Sequence, residues 1–214
     1  MGMRRISRKH RASIQLLLQH WGKFGAIQPF HEQWATEHTD YHYYTRKQCI
    51  YEEGWTDELV FYVCSGMVAR ITMDEENRNR NILSVGLPRM ALFTTEHLYS
   101  QNQGDGKIVA LRPSAVLIIP YRTIKIFKEE EKSLDTLMDA LTNKKKRQLA
   151  RLRKLSLVKD DIISCYTQFT EKLPELYHIL SHNEQKDLLG LSRSSVQRAD
   201  YFLLTGKNKQ KKRL

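Results

Sequence analysis

The sequence has few cysteines and no long apolar segment. Cys49, Cys64 and Cys165 are an odd and widely separated set, which argues against a disulfide framework and leaves no paired spacing for a metal. No apolar run approaches the roughly 20 residues that span a bilayer, and the basic N-terminus lacks the apolar core of a secretory signal. We therefore expect a cytoplasmic protein without a metal or another cofactor.

Sequence motifs of catalysis are absent as well. The chain has no Gly-x-Ser-x-Gly, no phosphate-binding Gly-rich loop and no convincing pair of carboxylates. His38 and His42 are four residues apart, but the residues around them are typical of a turn and a strand rather than of a metal site. These absences argue against an enzyme.

Positive charge, in contrast, is abundant and unevenly distributed. The net charge is +11. Residues 141–214 carry 17 Lys and Arg against 7 Asp and Glu, whereas residues 24–140 carry 12 against 17. Basic charge confined to the last third of the chain favours a polyanionic partner for that part. A solvated basic surface without a partner is the alternative.

Two helices followed by short strands are predicted before Pro120. Helical spacing extends from Ala12 to Trp21 and stops at Gly22, and a second helix is predicted from Pro29 through His38. Short β-rich segments separated by turn residues follow, at Tyr41–Thr45, Val60–Cys64, Met67–Ile71, Ile82–Val85, Ile108–Leu111 and Ala115–Ile119. Six short strands at near-regular spacing predict a sandwich, barrel or jelly roll.

A long helix is predicted after this β-rich part. No Gly or Pro interrupts Glu129 to Leu157, and apolar side chains recur at a heptad spacing that Lys145 and Gln148 break. We expect this helix to pair with a copy of itself through Leu134, Met138, Leu141, Leu152 and Leu155. Packing of the same side chains on their own domain is the alternative.

The last part of the chain predicts a helix-turn-helix unit. Ser181 can cap a first helix, Gly190 can form the turn, and Ser192 can cap a second helix whose Val196 and Ala199 face inward, together with Phe202 and Leu203. An Arg side chain can bond guanine, Gln can bond adenine, and Ser with a helix N-terminus suits phosphate. The candidate DNA-binding residues are Ser192, Arg193, Ser194, Ser195, Gln197 and Arg198. A basic tail follows at Lys207, Lys209, Lys211, Lys212 and Arg213.

At these residues the chain resembles the Crp/Fnr family of bacterial transcription regulators. Leu189 to Arg198 is similar to the family pattern "LGISRETVSR", Tyr51 to Gly54 to its "REGE" turn, and Phe61 to Val68 to "lyFIxSGxVk". The resemblance implies an α+β fold with a jelly roll of the cyclic-nucleotide-binding type, a long connecting helix and a C-terminal winged-helix-like helix-turn-helix. The corresponding domains are residues 1–128, 129–157 and 158–214. It also implies a homodimer on double-stranded DNA, with Arg193, Ser194 and Arg198 reading bases and Ser195 contacting phosphate.

The chain departs from this family where cyclic AMP would bind. Gly86 to Ala91 and Gln103 to Lys107 stand at the positions that hold the ribose and phosphate. No arginine stands where the phosphate needs one, and Asp105 would repel it. We therefore do not expect cyclic AMP to bind, and the small-molecule effector is unknown or absent.

A second departure lies in the first helix of the helix-turn-helix. Gln185 and Lys186 replace an apolar residue and an alanine, and a long cation at a small-residue contact must extend outward or push the helices apart. The competing hypothesis is therefore a roll that binds a ligand or a partner, with a degenerate helix-turn-helix that binds DNA without sequence preference.

Overall fold

The computed structural model describes residues 6–74, 79–96, 100, 102–130, 134–158 and 161–206, and the side chains of residues 129 and 130 lie outside the description. The chain divides into two compact units, residues 1–72 with 85–146 and residues 73–84 with 147–214. The long helix predicted as a separate segment contributes residues to both units. No helix in the described residues is long and apolar enough to cross a membrane.

The first unit begins with two helices at the predicted places. Helix α1 spans Arg8–Trp21 and starts earlier than predicted because the Ser7 hydroxyl accepts a hydrogen bond from the His10 amide and caps it. Helix α2 spans Pro29–His38, as predicted, and proline occupies its first turn, where no amide hydrogen is needed.

Eight strands form the roll, and all of their residues except 73 and 80–84 belong to the first unit. They are β1 Asp40–Tyr44, β2 Cys49–Tyr51, β3 Leu59–Ser65, β4 Val68–Met73, β5 Arg80–Gly86, β6 Ala91–Phe93, β7 Lys107–Ala110 and β8 Ser114–Pro120. They make two four-stranded sheets of order β1-β8-β3-β6 and β2-β7-β4-β5. Six of them match the predicted segments. Strands β2 and β6, each three residues long, were not predicted because alternation cannot be recognised in so short a segment.

Both faces of strand β3 are buried, which explains its continuous apolar sequence. Val60, Tyr62 and Cys64 pack with the helices of the unit, whereas Phe61 and Val63 point between the two sheets. Successive side chains of a strand alternate between its faces, so one strand supplies two cores. This central position fixes the sheet β1-β8-β3-β6 against α1 and α2.

Helices α3 Tyr121–Glu130 and α4 Leu134–Ser156 follow the roll. Leu134, Met138 and Leu141 belong to the core of the first unit, which favours the alternative that they pack on their own domain, and their assignment to a dimer contact stays a prediction. Heptad spacing fits an intramolecular sheet surface as well as a partner helix, and the sequence cannot distinguish the two. Leu155 is buried and Leu152 is half-buried. Dimerisation itself stays a prediction.

The second unit is helical beyond residue 147. Its helices after α4 are α5 Ile162–Lys172, α6 Pro174–Tyr177, α7 His182–Leu189 and α8 Arg193–Thr205. Described residues 147–158 and 161–206 contain no strand, so the hairpin of a winged helix is not seen among them. The basic tail, Lys207 to Arg213, lies outside the described residues.

Buried His20 makes the first unit sensitive to acid. Its Nδ1 lies 3.2 Å from the Tyr62 hydroxyl, and burial, reinforced by Lys144, Arg89 and Lys23, lowers its pKa from 6.5 to about 4. Because the unfolded chain takes up this proton more readily, the free energy of unfolding falls as the pH falls from about 6.5 to about 4.

We expect His20→Gln to lose on the order of 2 kcal/mol less stability than the wild type between pH 7 and pH 4.5. Urea unfolding at the two pH values measures this difference. His42→Gln, at an exposed position, is the matched control and should retain the wild-type pH dependence. Equal pH dependence of the two variants would contradict the assignment.

Candidate nucleic-acid interface

Local capping determines where α7 and α8 begin and end. The Ser181 hydroxyl accepts from the Glu184 amide while the Glu184 carboxylate accepts from the Ser181 amide at 2.9 Å, a capping box at the start of α7. Gly190 ends α7 at φ 65°, a conformation that glycine adopts without strain. Ser192 caps α8 by accepting from the Ser195 amide at 3.0 Å. The predicted helix-turn-helix is therefore confirmed as a structural unit.

Five of the six candidate DNA-binding residues lie on the exposed side of α8. Only Ser195 is buried, with 6% of its surface exposed, and its Oγ lies 2.8 Å from the Oγ of Ser192. Its hydroxyl is thus part of the cap rather than of the exposed surface. The other five are Ser192, Arg193, Ser194, Gln197 and Arg198.

The inner side of α8 is partly as predicted. Val196 and Ala199 are buried and Phe202 is half-buried, whereas Leu203 is exposed. The prediction that Leu203 faces inward is therefore wrong.

The carboxylate of Asp200 connects α8 to three other helices. It accepts from the Tyr177 hydroxyl at 2.9 Å and from the Tyr166 hydroxyl at 3.3 Å, and its second oxygen lies 3.1 Å from His182 Nε2. Burial raises the pKa of Tyr166, and Asp200 raises it further, so the phenol remains a hydrogen-bond donor. The sequence pattern did not identify Asp200, since its partners lie far away in the chain.

Gln185 is accommodated in the core of this unit. With 2% of its surface exposed, it accepts from Tyr166 Oη at 2.7 Å and donates to the carbonyls of Tyr177 and Leu180 at 3.1 and 3.0 Å. Lys186 extends to the carboxylate of Asp187 at 2.9 Å. The two residues are therefore built into the packing, because a buried amide costs little when its hydrogen bonds are made.

The acidic side chains of α7 and α8 are engaged inside the unit. Glu184 forms the capping box and Asp200 the network above. Asp187 accepts from Arg80 Nε at 2.7 Å and pairs with Lys186. Arg80, at the start of β5, was not identified from the sequence. The exposed charges of α8 are consequently Arg193 and Arg198, both positive.

This arrangement suits an anionic partner and offers no metal site. Among the described residues, no three His, Cys, Asp or Glu side chains come together in a way that could hold a metal ion. The uncapped amides at the start of α8 and its dipole favour negative charge beside Arg193. A helix with such a start can lie against a phosphate backbone.

No protein-family model and no curated protein matches this sequence. Solved structures do. The chain matches FixK2 of Bradyrhizobium japonicum at 17% identity with a TM-score of 0.59, over 78% of this chain and 85% of that one. It matches a transcriptional regulator assigned to the Crp/Fnr family from Eubacterium rectale at 14% identity with a TM-score of 0.60, over 87% of each chain. It also matches a CRP-family regulator of Thermus thermophilus at 15% identity with a TM-score of 0.59, over 77% of this chain and 85% of that one.

These likenesses establish the fold. The protein has the α+β fold of the Crp/Fnr transcription regulators, which confirms the fold class predicted from the sequence. Identities of 14–17% show a shared architecture and leave the residues of the interface to be judged from their own chemistry.

We expect Gln185→Ala to destabilise the second unit by about 1–3 kcal/mol, because it removes the nearer acceptor of the Tyr166 hydroxyl, which keeps only the 3.3 Å contact with Asp200, and the side-chain donor to two carbonyls. Gln197→Ala makes the same chemical change on the exposed face of α8 and should alter stability by less than about 0.5 kcal/mol. Hydrogen exchange of residues 181–206 measures both. Equal protection in the two variants would show that the Gln185 network does not hold the unit together.

Proposed function

We propose that the protein is a dimeric, DNA-binding transcription regulator of the Crp/Fnr type that reads double-stranded DNA through α8. The observation that carries this proposal is the exposed, capped start of α8, where every charged side chain on the surface is an arginine. The fold shared with known transcription regulators supports the same function.

The spacing of the exposed residues suits a groove-facing surface. Arg193 and Gln197 are four residues apart, as are Ser194 and Arg198, so the four form one contiguous face of the helix. Arginine can donate two hydrogen bonds to guanine, and glutamine can donate and accept with adenine. Ser192, at the helix start, lies where a phosphate would be bound.

Ser195 has a different role in this proposal from the one that the resemblance implies. Its side chain is buried against Ser192, so it orients the start of α8 instead of reaching the backbone of the duplex. The phosphate contact then falls to Ser192, the neighbouring amides and the basic residues. Ser195 is thus a positioning residue.

Dimerisation would place two copies of α8 on half-sites about one helical turn apart. With Leu134, Met138 and Leu141 used within one protomer, the contact between protomers falls to other surfaces. On the predicted seam, Leu152 and its neighbour Leu149 keep exposed area. An inverted repeat in the preferred DNA sequence would report this symmetry directly.

Cyclic AMP is not the effector in this proposal. The loop expected to hold its phosphate presents the carbonyl oxygens of Gly104 and Asp105 to the side chain of Arg70. Carbonyl oxygens repel a phosphate, which needs donors. Any effector of the roll must therefore be bound in another way.

Selection from a random duplex library at physiological salt tests the proposal, since nonspecific phosphate contacts are suppressed there. We expect an enriched inverted repeat. A folded protein that enriches no sequence would contradict sequence reading and favour the roll as a ligand- or partner-binding module.

On the selected site, Arg193→Ala should weaken binding by about 1–3 kcal/mol and relax the preference at one base pair. Arg153→Ala removes the same charge from an exposed position of α4 and serves as the control. It should weaken binding less, and by the same amount for every DNA sequence. Fluorescence anisotropy with the selected and a scrambled duplex measures both. Equal losses would remove Arg193 from base reading.

A further inference from the structure

The second half of helix α4 carries positive charge without negative charge beside it in the sequence. Between Asp139 and Asp160 the chain has eight Lys and Arg and no Asp or Glu. Three of these cations, Arg147, Arg153 and Lys154, belong to the second unit and are exposed. We call these three residues the α4 surface. Because α8 belongs to the same unit, that unit presents exposed arginines on two different helices.

The side chains of the α4 surface are not used to hold the unit together. Among the described residues, none of the three forms an ion pair with a carboxylate or donates a side-chain hydrogen bond. Arg151 shows the contrast on the same helix. Its Nη1 donates to the carbonyl of Lys172 at 2.8 Å and lies 3.9 Å from Oε1 of Glu175. Three of the cations of α4 are therefore left for a partner outside the chain.

The three cations surround a short side chain. Ala150 is exposed and follows Arg147 by three residues, and it precedes Arg153 by three and Lys154 by four. Residues three and four apart are neighbours on a helix surface, so Ala150 is next to all three. Arg147 and Lys154 are separated by nearly two turns, about 10 Å along the axis. A polymer backbone can thus approach α4 over Ala150, with long cationic side chains around it.

The helix dipole explains only part of this charge. Arg153 and Lys154 lie in the last turn of α4, where the partial negative charge of the helix end stabilises cations. Arg147 lies nine residues before the last residue of the helix, Ser156, and the effect does not reach beyond the last turn. It also precedes Arg151 by four residues, a spacing at which like charges destabilise a helix. An anion over Ala150 would offset this repulsion.

We propose that the α4 surface binds the phosphate backbone of double-stranded DNA without reading its sequence. Arg147, Arg153 and Lys154 donate to phosphate oxygens, and Ala150 leaves room for the strand. The inference rests on the proposed function, which supplies the duplex as the partner of the second unit. Contacts of this kind release counterions from the DNA, so the α4 surface makes binding depend more steeply on salt.

The salt dependence of DNA binding tests this proposal. We expect the triple variant Arg147→Gln, Arg153→Gln, Lys154→Gln to reduce the slope of log Kd against log salt concentration by about 2–3, because each lost phosphate contact reduces it by about 1. The affinity should fall by the same factor for a selected and a scrambled duplex. Fluorescence anisotropy from about 50 to about 200 mM salt measures both quantities.

The triple variant Arg8→Gln, Lys9→Gln, Arg11→Gln is the matched control. It also removes two arginines and one lysine from exposed positions of a helix, in this case α1. Its slope should stay within about 1 of the wild-type slope. Equal changes of slope in the two variants would overturn the proposal, because the net charge alone would then explain the loss. Circular dichroism establishes that both variants fold.

A pair of single variants tests the centre of the α4 surface. Ala150→Glu adds a negative charge between the three cations, and Ala150→Gln adds a side chain of the same shape without the charge. We expect the Glu variant to bind every duplex more weakly than the Gln variant does, because it repels phosphate. Equal affinities of the two would show that no phosphate lies over Ala150.

Failure of this proposal can be told from failure of the proposed function. A protein that selects a DNA sequence but keeps the wild-type slope in the α4 triple variant lacks the α4 contact and retains the proposed function. A protein that selects no sequence, yet loses slope in that variant on a scrambled duplex, has the α4 contact and not the proposed function. A larger loss of affinity for single-stranded RNA than for the duplex would assign the α4 surface to RNA and contradict the proposal.

Discussion

The candidate interface depends on the hydrogen bonds that the carboxylate of Asp200 makes to other helices. With 16% of its side chain exposed, Asp200 is largely withdrawn from water, and such a carboxylate needs hydrogen bonds because its desolvation is costly. Tyr166, Tyr177 and His182 meet this requirement from three different helices. One side chain of α8 therefore fixes the helix in position. It also removes the only acidic residue of that helix from the outer surface.

The same principle governs the rest of the helix pair. Glu184 and Asp187 are buried and paired as well, so three negative charges leave the surface and two arginines remain there. The face next to the helix N-terminus is thus positive because the acidic side chains make their hydrogen bonds and ion pairs inside the unit. The net charge of the chain alone could not show this, since it does not distinguish exposed from internal groups.

The first unit contains the opposite case. There the buried charges, Arg70 and Lys145, are positive. Their direct contacts are carbonyl oxygens and an aromatic ring, and the carboxylates of Asp105 and Glu53 act electrostatically on Arg70. Carbonyls and rings stabilise a cation less than an anion does. The two units therefore differ in the sign of the charges that they bury: carboxylates in the second unit and cations in the first.

Most of what could be predicted from the sequence depends on residues that act on their near neighbours in the chain. Ser181, Gly190 and Ser192 act within a few residues of themselves, so the helix-turn-helix follows from the sequence. Partners distant in the chain could not be predicted: Gln185 looked like a disruption because Tyr166 is 19 residues away. Leu134, Met138 and Leu141 illustrate a different limit, since their spacing describes an apolar face and not what covers it.

Backbone-amide NMR during titration with a short DNA duplex tests the central claim most directly. If α8 reads DNA, the amides of residues 192–198 shift first and most strongly, and those of the first unit remain close to their free positions. Shifts confined to the first unit, or spread evenly over every basic segment, would contradict the assignment of α8 as the recognition helix.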